Sequence, residues 1–131
     1  MVTKGEVVRI GIIGAGRTGT PLIKEFLQFP YIKIMGVCDL NLNTEGMRLA
    51  RDNGIFTTAN IEDIVNMGEE IDLVINVSGD PNLRKRLVNF YLRTANAHTI
   101  IVHEMVARLM ISLAERSASL KESLHPHVRG L

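Results

Sequence analysis

The sequence predicts an α/β protein in which a parallel sheet is covered by helices on both faces, and three observations lead to that prediction. Short apolar runs rich in Val and Ile alternate along the chain with segments whose apolar residues recur at helical spacing. These runs are continuous rather than interrupted by polar residues, which is typical of strands buried on both faces. A glycine-rich turn at residues 14–19 joins the first run to the first helical segment. Strands that alternate with helices favour a parallel sheet.

The composition is that of a globular protein with balanced charge. The chain has 131 residues, enough for one domain with its own core, and 15 basic and 14 acidic side chains give a formal net charge of +1. This balance predicts neither nucleic acid nor a membrane as a partner. The single cysteine, Cys38, excludes an internal disulfide and is interpreted as a small buried hydrophobe. No apolar run approaches the ~18 residues of a membrane span, so we expect a cytoplasmic protein.

The first strand, first helix and second strand follow directly from the pattern. Residues 7–13 predict a buried strand, and Pro21 suits the first turn of the helix after the glycines. Pro30 ends that helix, and residues 31–39 predict the second strand. The apolar residues that recur at helical spacing are Leu22, Ile23, Phe26 and Leu27.

Two short helices come next. Residues 44–52 predict a helix closed by the Asn-Gly pair at 53–54, a common stop signal. A brief strand is expected at 55–57. Asn60 resembles an N-terminal cap, which predicts a helix over residues 61–67.

The second half of the sheet has the same organisation. Residues 71–77 predict a buried strand, after which Asp80 can cap a helix and Pro81 can occupy its first position. That helix is expected over residues 82–94, and a last short strand over 99–102. The residues expected to face inward from the helix are Leu83, Leu87, Val88 and Tyr91.

From residue 104 to about 123 the pattern predicts one long C-terminal helix. Apolar residues fall at alternating spacings of three and four, which is a heptad pattern. Two interpretations remain open: the first half packs on the sheet and the rest frays, or the helix pairs with a second copy or leads into a following domain. The predicted organisation is therefore a nucleotide-binding domain at 1–103, a helix at 104–124 and a tail at 125–131. The heptad positions are His103, Val106, Met110, Leu113, Ser117, Leu120 and Leu124.

The glycine turn carries the strongest functional signal, a complete G-x-G-x-x-G between a predicted strand and a predicted helix. In that context the pattern indicates a dinucleotide-binding site in a doubly wound, Rossmann-like sheet. Gly14 allows the sharp exit from the strand, Gly16 leaves space for the pyrophosphate, and Gly19 allows close packing of the helix. The helix N-terminus supplies unpaired N–H groups and a positive dipole end for the phosphates.

Asp39 lies at the end of the second predicted strand, twenty positions after the last glycine. Its carboxylate would accept hydrogen bonds from the adenosine ribose and repel a 2′-phosphate, so NAD is favoured over NADP. Arg17 and Arg48 are near enough to soften that repulsion. The predicted cofactor-binding residues are Gly14, Ala15, Gly16, Arg17, Thr18, Gly19, Asp39, Leu40, Val77, Ser78 and Gly79.

The ends of the last two strands extend this prediction, because ligands of open parallel sheets lie across the carboxyl ends of the strands. Val77, Ser78 and Gly79 are expected near the adenosine and the middle of the cofactor. His103 and Glu104 follow the last strand and are nearest to the nicotinamide side. We assign no catalytic residue, and no metal site is predicted because the histidines lack thiol or carboxylate partners at ligand spacing.

The segments VVRIGIIGAGRTG, IMGVCDLN and IDLVINVSGDP resemble the cofactor domains of the glucose-fructose oxidoreductase and inositol dehydrogenase family and of homoserine dehydrogenase. The resemblance covers roughly residues 7–107. It implies that the three glycines line the pyrophosphate, Asp39 the ribose, and Ser78 with Gly79 the middle of the cofactor. The INVSGDP segment and the ARLM helix start also resemble nucleotide-binding modules at the front of bacterial signalling proteins.

Two departures from that family bear on function. Where the family has a Glu-Lys-Pro motif with a chemically active lysine, this chain has His103-Glu104-Met105. The family also carries a second, substrate-binding domain, for which the 131 residues leave no room. The sequence therefore favours a module that binds or senses NAD(H), with the cofactor domain of an NAD-dependent oxidoreductase as the alternative. A CoA or other adenine-nucleotide binder is a third hypothesis, and the C-terminal helix predicts a homodimer or a following domain.

Overall fold

A computed structural model describes residues 5–122, which form a five-stranded parallel sheet with helices on both faces. This confirms the predicted fold class. The strands are β1 (Val8–Ile13), β2 (Ile32–Cys38), β3 (Thr57–Thr58), β4 (Leu73–Asn76) and β5 (Ile100–Val102). The α-helices are α1 (Gly19–Phe26), α2 (Glu45–Asp52), α3 (Ile61–Val65), α4 (Pro81–Arg93) and α5 (Glu104–Ala114), with a 3₁₀ turn at Gly68–Glu70.

The strand order is β3-β2-β1-β4-β5, so β1 lies at the centre and pairs with both β2 and β4. The chain runs outward from β1 to β3, crosses back over the sheet, and continues from β4 to β5. The direction of winding therefore reverses between β1 and β4. The loops that follow β1 and β4 therefore leave the sheet toward opposite sides. The space between them, at the carboxyl ends of the two strands, is the crevice where open parallel sheets bind ligands.

Each face of the sheet has its own apolar core. Ile10 and Ile12 of β1 face the core under α1, α2 and α5, whereas Ile13 faces the core under α3 and α4. This alternation follows from the two-residue period of a strand. Because both faces are covered, the central strands are apolar on both sides, as the continuous runs of Ile and Val predict.

Three of the helices begin at or within one residue of the predicted position, and two of these have a side-chain cap. The Thr44 side chain accepts a hydrogen bond from Met47 N, and Asp80 Oδ1 accepts one from Asn82 N. Asn60 occupies the cap position of α3 without a side-chain cap bond. Thr58 Oγ1 accepts from Asn60 N instead, so a neighbouring hydroxyl supports this turn.

The prediction of one helix from residue 104 to about 123 is wrong in its second half, because α5 ends at Ala114. Arg116 adopts a left-handed φ of 53°, and Ser117 N donates to Ser112 O, which is the bonding pattern of a Schellman stop. The chain then folds back, so that Lys121 N donates to Ser112 Oγ. Leu120 is therefore not on the helix, and Leu124 and the predicted tail lie outside the described residues.

Candidate functional site

The glycine loop leaves β1 in a conformation that requires glycine. Gly14 has φ +106°, and a Cβ at this position would lie 2.9 Å from the backbone N of Ser78. Its N–H donates to Cys38 O at 2.8 Å, which ties the loop to the end of β2. The first glycine thus brings the loops after β1, β2 and β4 together.

The other two glycines have different surroundings. A Cβ on Gly19 would lie 1.9 Å from Gly14 O, so its hydrogen allows α1 to begin directly against the loop. A Cβ on Gly16 would meet no atom within 4 Å. Gly16 is exposed, next to the N-terminus of α1, whose first turn carries no acidic residue. The open space beside it is suited to an anion held by backbone N–H groups.

Asp39 has a structural role that the sequence did not indicate. Its Oδ2 accepts a hydrogen bond from Ala15 N, and its Oδ1 accepts one from Asn41 N, both at 2.8 Å. The carboxylate therefore fixes the glycine loop to the loop after β2. Since two carboxylate oxygens offer about four acceptor positions, both retain capacity for a ligand hydroxyl.

The loop after β4 is organised by Asn76, which the sequence analysis did not single out. This side chain is buried, and its Oδ1 accepts from Ser78 N at 3.1 Å and from Ser78 Oγ at 2.7 Å. Ser78 Oγ in turn accepts from Asp80 N at 3.2 Å, and Gly79 has φ +74°. A polar residue that interrupts the end of an apolar run was the available signal for this role.

Gly46 of α2 is a second residue that sequence reasoning missed. A Cβ there would lie 2.5 Å from Ala15 O and 2.7 Å from the Thr20 hydroxyl, which itself donates to Ala15 O at 2.9 Å. The second helix therefore packs directly on the back of the glycine loop. A small residue inside a helix is too common to have indicated this contact.

A cleft of about 350 Å³, called the loop cleft below, opens at the carboxyl ends of β1 and β4. All of its lining residues are among the predicted cofactor-binding residues. Ala15 and Gly19 are buried behind it, and Leu40 lies in the neighbouring cleft described next. The lining residues are Gly14, Gly16, Arg17, Thr18, Asp39, Val77 and Ser78.

A second cleft of about 320 Å³, called the side cleft below, shares Gly14, Asp39 and Ser78 with the loop cleft. The two clefts therefore meet at the end of β1. The side cleft is lined by both apolar and charged side chains, and most of its residues were not predicted. Its apolar lining includes Ile13, Leu40, Ala59, Ile61 and Leu83, and its charged lining is Asp39, Glu62, Asp80 and Arg86.

Cys38 lies against the side cleft but is not a nucleophile at neutral pH. The side chain is buried, which confirms its interpretation as a small hydrophobe. Burial, followed by the nearby charge of Asp39, raises the pKa of the thiol to about 11. The thiol is therefore protonated near neutral pH, whereas a reactive cysteine needs the thiolate.

The sequence analysis predicts the nicotinamide side at the end of β5, where His103 and Glu104 follow the strand. His103 occupies the cap position of α5 without a side-chain cap bond, and Glu104 is buried in the first turn.

Within residues 5–122 the structure contains no group of three or more side chains that could hold a metal ion. In the same part of the chain, no helix is long and apolar enough to cross a bilayer.

No family model and no curated protein matches this sequence. Solved structures match its fold. GenD2 from gentamicin A biosynthesis, in complex with NAD, aligns with a TM-score of 0.59 and 13% identity, over 88% of this chain and 33% of GenD2. A myo-inositol dehydrogenase from Corynebacterium glutamicum aligns with a TM-score of 0.54 and 20% identity, over 82% and 32% of the two chains. Homoserine dehydrogenase from S. aureus aligns with a TM-score of 0.57 and 18% identity, over 85% and 30%.

These similarities confirm the predicted resemblance at the level of the fold. Inositol and homoserine dehydrogenases are the enzymes whose cofactor domains the sequence motifs resemble, and the structure has the same parallel architecture. The chain spans about a third of the length of these proteins. The remaining two thirds of each neighbour have no counterpart in the aligned region.

Proposed function

We propose that this chain binds NAD(H) as the cofactor domain of an NAD-dependent oxidoreductase. The observation that carries the proposal is the open space at Gly16 beside the N-terminus of α1, inside a loop held by backbone contacts. Such a loop brings N–H groups and the positive end of the helix dipole toward a pyrophosphate. The NAD complex of GenD2, a protein of similar fold, supports this choice of ligand.

In the proposed complex each part of the dinucleotide has its own contacts. The pyrophosphate occupies the loop cleft beside Gly16, the adenosine ribose bonds to Asp39, and the adenine enters the side cleft. Asp39 would then serve two purposes, because the same carboxylate that accepts from Ala15 N also accepts from the ribose. The ligand and the loop would be positioned by one group.

The charges around the side cleft favour NAD over NADP. The carboxylates of Asp39, Glu62 and Asp80 line this cleft, and Arg86 is already paired with Glu62. A 2′-phosphate on the adenosine ribose would meet the negative charge of Asp39 directly. Arg17 is exposed at the edge of the loop cleft and would contact the phosphates rather than cancel this repulsion.

Hydride transfer itself is the chemistry of the nicotinamide, and this chain would bind and orient the cofactor. The position that matches the family's lysine motif holds Glu104 between His103 and Met105. Substrate contacts and an acid or base would then come from outside residues 5–122. The proposal that other residues supply the substrate site is supported by the alignment, in which this chain covers about a third of each similar protein.

A module that binds or senses NAD(H) without chemistry is the second candidate, and α5 is the observation that favours it. The outward side of this helix exposes Met105, Val106, Leu109 and Leu113. Exposed apolar strips of this kind mark contact surfaces. We propose that this strip contacts a second copy or a following domain, and that the protein is cytoplasmic. Binding of NAD(H) would change this contact if α5 has two arrangements and the ligand binds one of them more tightly than the other.

Calorimetric titration of the purified chain with NAD⁺, NADH and NADP⁺ tests the proposal. We expect NAD⁺ or NADH to bind and NADP⁺ to bind at least about tenfold more weakly, because its 2′-phosphate would lie against the carboxylate of Asp39. The Asp39→Ala variant should lose binding, and Asp52→Ala, which removes an exposed carboxylate at the end of α2, is the matched control. Absence of binding up to about 1 mM ligand would refute the proposal.

A further inference from the structure

The side cleft ends at an ion pair between two helices. Arg86 of α4 donates from Nη2 to Glu62 Oε1 of α3 at 2.6 Å, and each side chain is about half exposed, at 55% and 50%. These two residues also line a groove between α3 and α4 that shares no residue with the loop cleft. The pair therefore forms the wall between the side cleft and that groove.

The two ends of the side cleft differ in what they offer a ligand. Gly14, Asp39 and Ser78 are shared with the loop cleft, so this end lies next to the pyrophosphate and ribose. Leu40 and Leu83 provide apolar surface along the walls. Glu62 and Arg86 line the side cleft but not the loop cleft, so they are charged groups away from the shared end. A planar base attached to a ribose at Asp39 would thus have apolar contacts on its faces and charged groups at its outer edge.

We propose that Glu62 and Arg86 recognise the Watson–Crick edge of adenine, an inference that rests on the proposed binding of NAD(H). Adenine carries an amino group at C6 and an acceptor at N1, on the edge opposite its ribose. The carboxylate of Glu62 accepts from the 6-amino group through an oxygen that Arg86 does not occupy. Arg86 has five N–H donors and gives one to N1. The ion pair fixes both groups in the geometry needed for this pairwise recognition.

An alternative role for the pair is to hold α3 against α4. That role predicts an effect of substitution on stability and none on the choice of base. An exposed ion pair of this kind contributes little to stability, so both side chains tolerate substitution without unfolding the domain. The two roles are therefore separable by a ligand that changes only the outer edge of the base.

The test compares NAD⁺ with nicotinamide hypoxanthine dinucleotide by calorimetry. Hypoxanthine has an oxygen at C6 and an N–H at N1, which reverses the donor and acceptor positions. The oxygen would face the Glu62 carboxylate, and the N–H would face Arg86. We expect the hypoxanthine form to bind at least about tenfold more weakly than NAD⁺, the usual size of discrimination by a pair of edge contacts.

Two variants sharpen the comparison. Glu62→Gln supplies an amide that can donate to the hypoxanthine oxygen, whereas the hypoxanthine N–H still faces Arg86, so the difference between the two ligands should shrink from about tenfold to about threefold. Glu69→Gln makes the same chemical change on the exposed 3₁₀ turn and should keep the full difference. Thermal unfolding of both variants verifies that they are folded.

The outcomes separate this inference from the proposed function. Equal affinity of the native chain for the two ligands would overturn the role of the pair while NAD binding stands. An unchanged difference in folded Glu62→Gln would overturn it as well. If neither dinucleotide binds the native chain, the proposed function fails and this inference fails with it.

Discussion

The glycine loop and helix α5 are held in place by different kinds of contact. The loop is tied by backbone groups on three sides, through Gly14 N to β2, Ala15 N to Asp39, and close approach to the loop after β4. Helix α5 packs on the sheet through an apolar face, on which Ala107 and Ile111 are fully buried. Directional contacts fix the shape of the loop and leave a defined space. Within residues 5–122, hydrogen bonds from Arg108 Nε to Lys121 O and from Lys121 N to Ser112 Oγ join α5 to the segment that follows it, and exposed apolar side chains lie on its outer side.

This difference indicates two kinds of partner. Backbone donors around an open space suit a small anionic ligand, whose charge they can match atom by atom. An apolar strip suits a surface of protein, because apolar burial is not directional. Four substitutions test whether the loop and the helix differ in this way, in order of decreasing expected effect.

Gly19→Ala should have the largest effect. Alanine normally stabilises a helix relative to glycine by up to ~1 kcal/mol, but here its Cβ would lie 1.9 Å from Gly14 O. The backbone must shift, and we expect the free energy of unfolding to fall by about 3 kcal/mol. Urea denaturation followed by circular dichroism measures this. A variant as stable as the native chain would show that the loop is not held as tightly as the contacts indicate.

Gly16→Ala should separate binding from stability. The new methyl group meets no protein atom within 4 Å, so the free energy of unfolding should change by less than ~0.5 kcal/mol. The same methyl would occupy the space proposed for the pyrophosphate, and we expect the affinity for NAD⁺ to fall about tenfold or more. Calorimetry and denaturation on one preparation give both values. Full affinity would mean that the ligand does not approach this glycine.

Leu109→Gln should have little effect on the stability of a single chain and a larger effect on association between two chains. Leu109 is 49% exposed on the outer side of α5, so the free energy of unfolding should change by less than ~0.5 kcal/mol at a concentration where the chain is monomeric. If the strip pairs with a second copy, self-association should weaken about tenfold, as measured by light scattering against concentration. Gln28→Ala, an exposed change near the end of α1, is the control. A native chain that stays monomeric at micromolar concentration would leave a following domain as the partner.

The difference between the glycine loop and α5 also explains which features were predictable from the sequence. The glycine loop was predictable because its constraints are local, and because glycine is the residue that tolerates a positive φ at position 14 and close contact at position 19. The end of α5 was not predictable, since the left-handed residue that follows it is Arg116 rather than a glycine. The helical spacing of apolar residues simply continued past the real end.

The side cleft shows a second limit. Glu62 and Arg86 are 24 residues apart on different helices, and each alone has the pattern of a solvated surface charge. Their distance depends on how α3 and α4 pack on the sheet, which no local pattern encodes. Asn76 was closer to being predictable, because a polar side chain within an apolar run requires a hydrogen-bond partner.

The smallest effect on binding is expected at the amino ends of the strands, away from both the loop and the exposed strip of α5. Asp72, just before β4, accepts from Arg9 N at 2.8 Å, and its other oxygen lies 2.6 Å from His98 Nε2. The backbone N–H of Arg9, followed by the hydrogen bond to His98, lowers the pKa of Asp72 below its ordinary value of 3.8. Because the folded-state pKa is the lower one, the stabilisation is present above the ordinary value and is lost as pH falls through the folded-state pKa.

Asp72→Asn should therefore reduce the free energy of unfolding by less than ~1 kcal/mol near pH 6, since the group is partly exposed. The difference from the native chain should shrink as the pH is lowered below the ordinary carboxyl range, which urea denaturation at several pH values measures. NAD⁺ affinity should not change, because Asp72 lies at the start of its strand whereas both clefts lie at the carboxyl ends. A loss of affinity equal to that of Gly16→Ala would mean that binding responds to the whole sheet rather than to the loop. Ligand affinity would then depend on the stability of the whole domain and not on the local contacts that fix the glycine loop.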